Sequence, residues 1–168
     1  YCNRKAQVFS DYAGTTGDAF RDPVKGKELA SAQYDRGADI IYHASGATGI
    51  GVFEAAVIKK RLAIGVDADQ SLNTKPDQRK QILTSMLKRV DVAVYEAIRS
   101  VVNGSYKGGI RGFGLKENGV GYAVNQYNKA IIQNIVPRLE AVRKDIIAVK
   151  IVVPDDKKKL DAFLKALK

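Results

Sequence analysis

Residues 38–70, ADIIYHASGATGIGVFEAAVIKKRLAIGVDADQ, constrain the fold more than any other stretch of the chain. The pattern predicts a buried strand over 38–44, a glycine-rich turn over 45–51, a helix from about Val52 to Lys60 and a second buried strand over 62–66. Strand, helix and strand within about thirty residues form a βαβ unit, whose two strands run parallel. Ligands of such sheets bind beyond the carboxyl ends of the strands. Residues 46–51 and 67–70 are therefore expected on one edge of the sheet, where a small molecule would dock.

The flanking segments extend the same alternation. Val8, Phe9 and Tyr12 predict a strand over 6–12, and the polar loop 13–21 carries one aromatic, Phe20. Asp22-Pro23 supplies an N-cap followed by proline at the first helical position, and Gly37 stops a helix that runs to about Arg36. The fold class is α/β, a parallel sheet with flanking helices. After a polar loop with Pro76, residues 82–88 (ILTSMLK) read as a fourth strand that ends in Lys88. A helix over 91–102 repeats Val94, Ala97, Ile98 and Val101 at helical spacing and closes on Asn103-Gly104. Asn118-Gly119 is a hairpin-turn signal. Residues 122–148 read as helix with a break at Pro137, 149–153 as a last strand, and 155–168 as an amphipathic helix bearing Leu160, Phe163, Leu164 and Leu167.

Composition bounds the function classes. With 168 residues, 45% of them hydrophobic, the chain can bury a core of its own, and no run has the length and apolarity of a membrane span. It opens on Tyr1-Cys2-Asn3-Arg4-Lys5, neither an initiator methionine nor a signal peptide, so a processed product or a part of something longer is expected. Cys2 is the single cysteine, which leaves no intrachain disulfide and no cysteine-built metal site. A net charge of +10 suggests an anionic partner. Yet the basic residues are spread along the chain, the densest cluster (157–159) lies in the tail, and no helix-turn-helix, basic zipper or aromatic-basic RNA-binding pattern occurs. The balance indicates a solvated basic surface near anionic lipid or cell wall rather than a nucleic-acid site.

Gly46-Ala47-Thr48-Gly49-Ile50-Gly51 follows a strand and opens a helix, with Asp67 at the end of the next strand. That is the context of a dinucleotide turn, but the spacing is G-x-x-G-x-G rather than G-x-G-x-x-G. Two readings stay open: close packing of helix on strand, or backbone N–H groups that contact an anion or sugar. Asp67 and Asp69 flank Ala68 and can share one side of an extended segment. They read either as plain loop carboxylates or as acceptors for a sugar diol, with Lys88 neutralising Asp67 and donating to the same sugar, or else a surface lysine. Phe20 reads as a stacking ring for a planar base or as ordinary packing, and Phe53 as core. His43, the single histidine, sits in a strand and reads as structural. No nucleophile accompanies the carboxylates, so acid–base catalysis lacks a partner. A nicotinamide oxidoreductase of the short-chain type would need Tyr-x-x-x-Lys; Tyr127-Asn128-Lys129 has the wrong spacing, and Tyr34, Tyr95 and Tyr106 have no lysine four residues on.

ADIIYHASGATGIGVFEAA, AIGVDADQ, ILTSMLKRVDVAVYEAI and GLKENGVGYAV together resemble the basic membrane protein family, whose members include purine nucleoside receptors that serve as substrate-binding lipoproteins of ABC uptake systems. VFSDYAGTTGDAFRDPVKGKELA and DIIAVKIVVP fit the same pattern, so the likeness covers nearly the whole chain. The resemblance implies a type I periplasmic-binding fold of two α/β lobes around a nucleoside cleft. Residues 1–153 correspond to the substrate-binding lobe, 90–125 to a stretch returning toward the first lobe, and 154–168 to a C-terminal tail. It further implies a non-catalytic protein without cofactor or metal, held outside the cytoplasm by an upstream lipid anchor and paired with an ABC permease. Phe20 would stack on the base, Gly46 line the cleft, and Asp67 and Lys88 grip the sugar, with Asp69 a weaker counterpart. Thr15-Thr16-Gly17-Asp18-Ala19 lengthens the loop before Phe20, and Val149 stands where the family has a glycine. A ligand-sensing regulatory module on the same fold is the alternative function.

Overall fold

Asp22 starts the first helix as its sequence predicts: its Oδ1 accepts the Lys25 backbone N–H at 2.9 Å, and Pro23 occupies the first helical position. The computed structural model describes residues 6–166, in two compact units that divide between Asn134 and Ile135. In the first unit, α1 (Pro23–Asp35) ends before Gly37, whose φ of +101° turns the chain toward β1 (Ile40–Tyr42). There follow α2 (Gly49–Lys59), β2 (Leu62–Gly65), the one-turn α3 (Pro76–Arg79), β3 (Ile82–Lys88), α4 (Val90–Val102), β4 (Val120–Tyr122) and the short α5 (Lys129–Ile132).

The four strands form one sheet in the order β1-β2-β3-β4. The first three are parallel, as the βαβ reading requires, whereas β4 runs antiparallel to β3 with Met86 opposite Tyr122 and Lys88 opposite Val120. The core lies where α1 and α2 pack against the sheet: Ala30, Tyr34, Ile41, Val52, Phe53, Ala55, Ala56, Ala63 and Ile82 are buried together. Full burial of a side chain such as Phe53 or Ile82 contributes about 2 kcal/mol. Tyr34 places its hydroxyl on the Leu62 carbonyl at 2.8 Å, which satisfies its polar end, and burial raises its pKa.

Several expectations are corrected. The strand expected over 6–12 is irregular. Phe9 lies under the Arg36 guanidinium at 4.3 Å, and Asp11 accepts from Gln33 Nε2 at 2.7 Å, so side chains of α1 and its C-terminus hold this segment rather than a backbone ladder. Val8 and Tyr12 find no face to bury and stay exposed. β1 is shorter than residues 38–44 and buries Ile41 alone, with Ile40 and Tyr42 exposed. α2 begins at Gly49, not Val52, because Gly46–Thr48 already forms a 3-10 turn that leads into it. Asn118 does turn the chain, with φ +56° and its N–H on the Leu115 carbonyl, but no strand precedes the turn and β4 pairs with β3 instead.

Within the second unit, Pro137 opens α6 (Val136–Ile147) where a break was expected, since a proline in the first turn lacks only an N–H that would have no partner there. The tail helix is present as α7 (Lys157–Ala166). The strand expected over 149–153 is absent. Val149 instead ends α6 in the left-handed region at φ +58°, with its N–H on the Ile146 carbonyl and the Lys150 N–H on the Asp145 carbonyl. This is the helix-ending motif that glycine normally serves, and a β-branched residue is strained there. Val149→Gly is expected to stabilise this helix end by about 1 kcal/mol, after allowing for glycine's greater unfolded-state freedom. Exchange of the Lys150 amide should slow about fivefold; an unchanged rate would mean the valine carries no strain.

Candidate ligand-binding edge

The close fit of α1 on α2 brings Phe20 to Gly46. A Cβ at Gly51 would lie 1.8 Å from the Pro23 carbonyl oxygen, so this glycine serves packing. Gly46 differs: its φ of +55° makes the turn, and a Cβ there would meet the Phe20 carbonyl oxygen at 3.1 Å and Phe20 Cβ at 3.4 Å. Thr48 binds the two loops. Its hydroxyl accepts the Asp22 N–H at 2.8 Å and donates to the Ala19 carbonyl at 2.7 Å, which holds the 3-10 turn Gly17–Phe20 against the turn after β1. Phe20 sits at the end of that turn, 54% exposed and in contact range of Gly46.

Asp67 and Lys88 form the second pair. Lys88 Nζ lies 2.8 Å from Asp67 Oδ1, and the Lys88 backbone N–H donates to the Asp67 carbonyl at 2.9 Å. Asp67 has φ +67°, and the Ala68 N–H reaches back to the Val66 carbonyl at 2.8 Å. This three-residue turn with a positive φ at its centre is the rarer, strained form of γ-turn. It aims the carboxylate off the end of β2, against the last residue of β3.

His43 and Gln70 lie between the pairs. Gln70 Oε1 accepts the Val66 N–H at 2.8 Å, so the imidazole, whose Nε2 is 3.1 Å away, donates to it. Nδ1 is thereby left to accept from Ser45 Oγ at 3.4 Å. The ring packs edge-on against Phe53, with centroids 5.3 Å apart. At 5% exposure, burial lowers the His43 pKa from 6.5, against the smaller opposing effects of the Gln70 hydrogen bond and the Asp67 charge. His43 lies one residue beyond β1 rather than within the strand expected over 38–44, and is a neutral structural bridge.

Asp69 is differently employed. Its Oδ1 accepts from Ser71 N at 3.2 Å and Ser71 Oγ at 2.7 Å, and its Oδ2 from Asn125 Nδ2 at 2.6 Å. Both oxygens hold the loop after β2, so the two carboxylates do not work as a matched pair. The residues that sequence reasoning missed are Gln70, Thr48 and Asn125. Each acts by satisfying backbone or side-chain groups distant in sequence, and no local pattern announces that. Phe20, His43 and Ser45 also line a cavity of about 830 Å³ between segment 6–14, α1 and β1. Gly46, Asp67 and Lys88 are not among its lining residues.

Three parallel strands flanked by helices, with a glycine turn after β1 and a carboxylate–lysine pair after β2 and at the end of β3, make an α/β lobe whose fold is shared with solved solute-binding proteins. The chain matches the ABC transporter system solute-binding protein of Aeropyrum pernix at a TM-score of 0.65 and 30% identity, over 90% of this chain and 51% of that one. It belongs to the Bmp family, described as ABC transporter substrate-binding protein PnrA-like, which matches residues 1–157. Among relatives it is 35% identical to basic membrane protein D of Borreliella burgdorferi over 98% of this chain and 47% of that protein. It is also 35% identical to the CD4+ T-cell-stimulating antigen of Listeria monocytogenes over 91% of this chain and 45% of that one. An uncharacterized lipoprotein of Pyrococcus abyssi is 44% identical over 71% of this chain and 29% of its own length. The chain thus spans less than half the length of each of these relatives. The likeness to a transcriptional activator of the comK gene from Bacillus halodurans, at 20% identity and a TM-score of 0.64, is one of fold alone.

The buried imidazole makes stability depend on pH. Because the folded-state pKa lies below 6.5, the unfolded chain binds more protons between the two values, and stability falls as pH drops through 6.5 toward the folded pKa. Urea unfolding at pH 7.5 and 5.5 is expected to show this loss, and His43→Gln to remove it. An equal slope in the variant would assign the pH dependence elsewhere.

Proposed function

We propose that this lobe binds a nucleoside, with purine the expected base, as the extracytoplasmic receptor component of an ABC uptake system. The reading is supported above all by Asp67. An exposed ion pair contributes at most about 1 kcal/mol to stability, and Asp67 and Lys88 are 53% and 59% exposed. A left-handed residue costs about as much. The pair is therefore not explained by fold stability, and strained residues of this kind cluster at ligand sites. A carboxylate there can accept two hydroxyl hydrogens from a ribose diol while the lysine neutralises it and donates to the same sugar.

In the proposal, Phe20 stacks on the base, Gly46 keeps the approach to the ring open, and Asp69 acts through the loop rather than on the ligand. Anchoring by an upstream lipid and docking on a permease are part of the same reading. They are supported by the lipoprotein names of relatives and by the family's description. Among the described residues, no helix is long and apolar enough to cross a membrane. The bound ligand would be closed over by a second lobe, and the closed form recognised by the permease.

Calorimetry on a two-lobed form of the protein tests the reading. Asp67→Ala is expected to weaken nucleoside binding at least 100-fold, the loss of two hydrogen bonds to a charged acceptor at about 1.5–3 kcal/mol each. Free base should lose little by the same change. An affinity within threefold of the parent would take Asp67 out of the site.

A further inference from the structure

Asp67 is held in its left-handed turn from three directions, and one of them is remote in the chain. Its carbonyl takes the Lys88 N–H of β3 at 2.9 Å, and Gln70 Oε1 takes the Val66 N–H just before it at 2.8 Å. The third hold falls on Asp69, two residues on, and comes from Asn125, three residues after β4. A strained residue persists only where its surroundings over-determine it.

The Asn125 amide is fully engaged. Its Oδ1 accepts the Tyr127 N–H at 2.7 Å, which fixes the end of the amide that donates. Nδ2 then donates to Asp69 Oδ2 at 2.6 Å and to Ser71 Oγ at 2.8 Å. The Asn125 backbone N–H bonds to Asn128 Oδ1 at 2.8 Å, and the buried Asn128 donates in turn to the Leu83 and Ala123 carbonyls, each at 2.9 Å. Asn125 is thereby tied to β3, the strand that ends in Lys88. Tyr127 grips the same loop further along, where its hydroxyl accepts from Arg79 Nη1 at 3.1 Å. Both members of the exposed ion pair thus take their places from one strand. Lys88 does so as its last residue, and Asp67 through Asp69, Asn125 and Asn128.

We propose that Asn125 is a positioning residue for recognition: acting through Asp69, it sets where the Asp67 carboxylate stands against Lys88, and so the preference of this edge for a vicinal diol. The inference rests on the nucleoside reading for its ligand, but the first arm of its test uses none. Asn125→Asp changes little in size yet sets two carboxylates against each other. Adding Asp69→Asn restores one donor and one acceptor with their places exchanged. In the chain alone, exchange of the Lys88 amide, which bonds to the Asp67 carbonyl, is expected to quicken about tenfold in the single variant and to return in the double one. In a two-lobed form, calorimetry should show adenosine binding weakened at least about tenfold by the single change and restored to within about threefold by the double one. Binding of 2′,3′-dideoxyadenosine, which offers no diol, should change less than about twofold throughout. Unchanged exchange at Lys88 overturns the proposal, because Asn125 then does not hold the turn. Equal weakening of both nucleosides overturns it too, because the residue then only supports the fold. A parent protein that binds neither nucleoside sinks the ligand reading instead, and exchange at Lys88 still decides the hold on Asp67.

Discussion

The whole edge depends on how closely α1 and α2 approach. At Gly26 a Cβ would fall 2.0 Å from the Thr48 carbonyl oxygen, and at Gly51 1.8 Å from that of Pro23. No side chain larger than hydrogen fits either place, and the two helices meet backbone to backbone. That approach brings the buried Thr48 hydroxyl, on the turn after β1, to the loop before α1, where it bonds to both Ala19 and Asp22. Phe20 is placed by this contact rather than by anything in its own loop. The longer loop before it is absorbed by the 3-10 turn Gly17–Phe20, and the ring still reaches Gly46.

A second polar centre orders the strand ends. Gln70 Oε1 takes the Val66 N–H that the sheet leaves over and the imidazole of His43, while the Gln70 backbone N–H donates to Ser85 Oγ at 3.1 Å. One side chain therefore joins the ends of β1 and β2, and its backbone joins β3. Buried polar groups are tolerable only when so satisfied. Burial keeps the imidazole neutral against the smaller pull of the Gln70 bond, and the arrangement leaves the Asp67 turn, one residue beyond Val66, supported from behind.

Much of this was legible in the sequence. The βαβ unit, the Asp22-Pro23 cap, the Gly37 stop and the strand ending in Lys88 all follow from local chemistry, and β3 has the predicted bounds. What was not legible depended on partners far away in the chain. The period-two pattern over 6–12 is real, but a strand needs a ladder, and here Phe9 and Asp11 are held by Arg36 and Gln33. The glycine run was ambiguous because spacing does not tell φ from crowding; in the structure Gly46 turns the chain and Gly51 yields space to α1. Asp67 and Asp69 looked equivalent from their spacing. Only Asn125, more than fifty residues later, makes one of them structural. The break at Pro137 is present, since helix stops at Ile132 and resumes at Val136; what the pattern hid is that residues 123–128 are not helical.

The exposure of the Asp67–Lys88 pair makes one physical demand. In water, two opposite charges 4 Å apart attract by about 1 kcal/mol, and by about four times as much near a protein surface of effective dielectric 20. The Asp67–Lys88 pair now stands at the wet end of that range, more than half exposed, and so would any hydrogen bond it offered a sugar. Strong recognition at this edge requires water to be excluded from its open side. Any surface that dries this edge would also strengthen the hydrogen bonds its carboxylate offers, so that closure and recognition become parts of one event rather than separate properties of the fold.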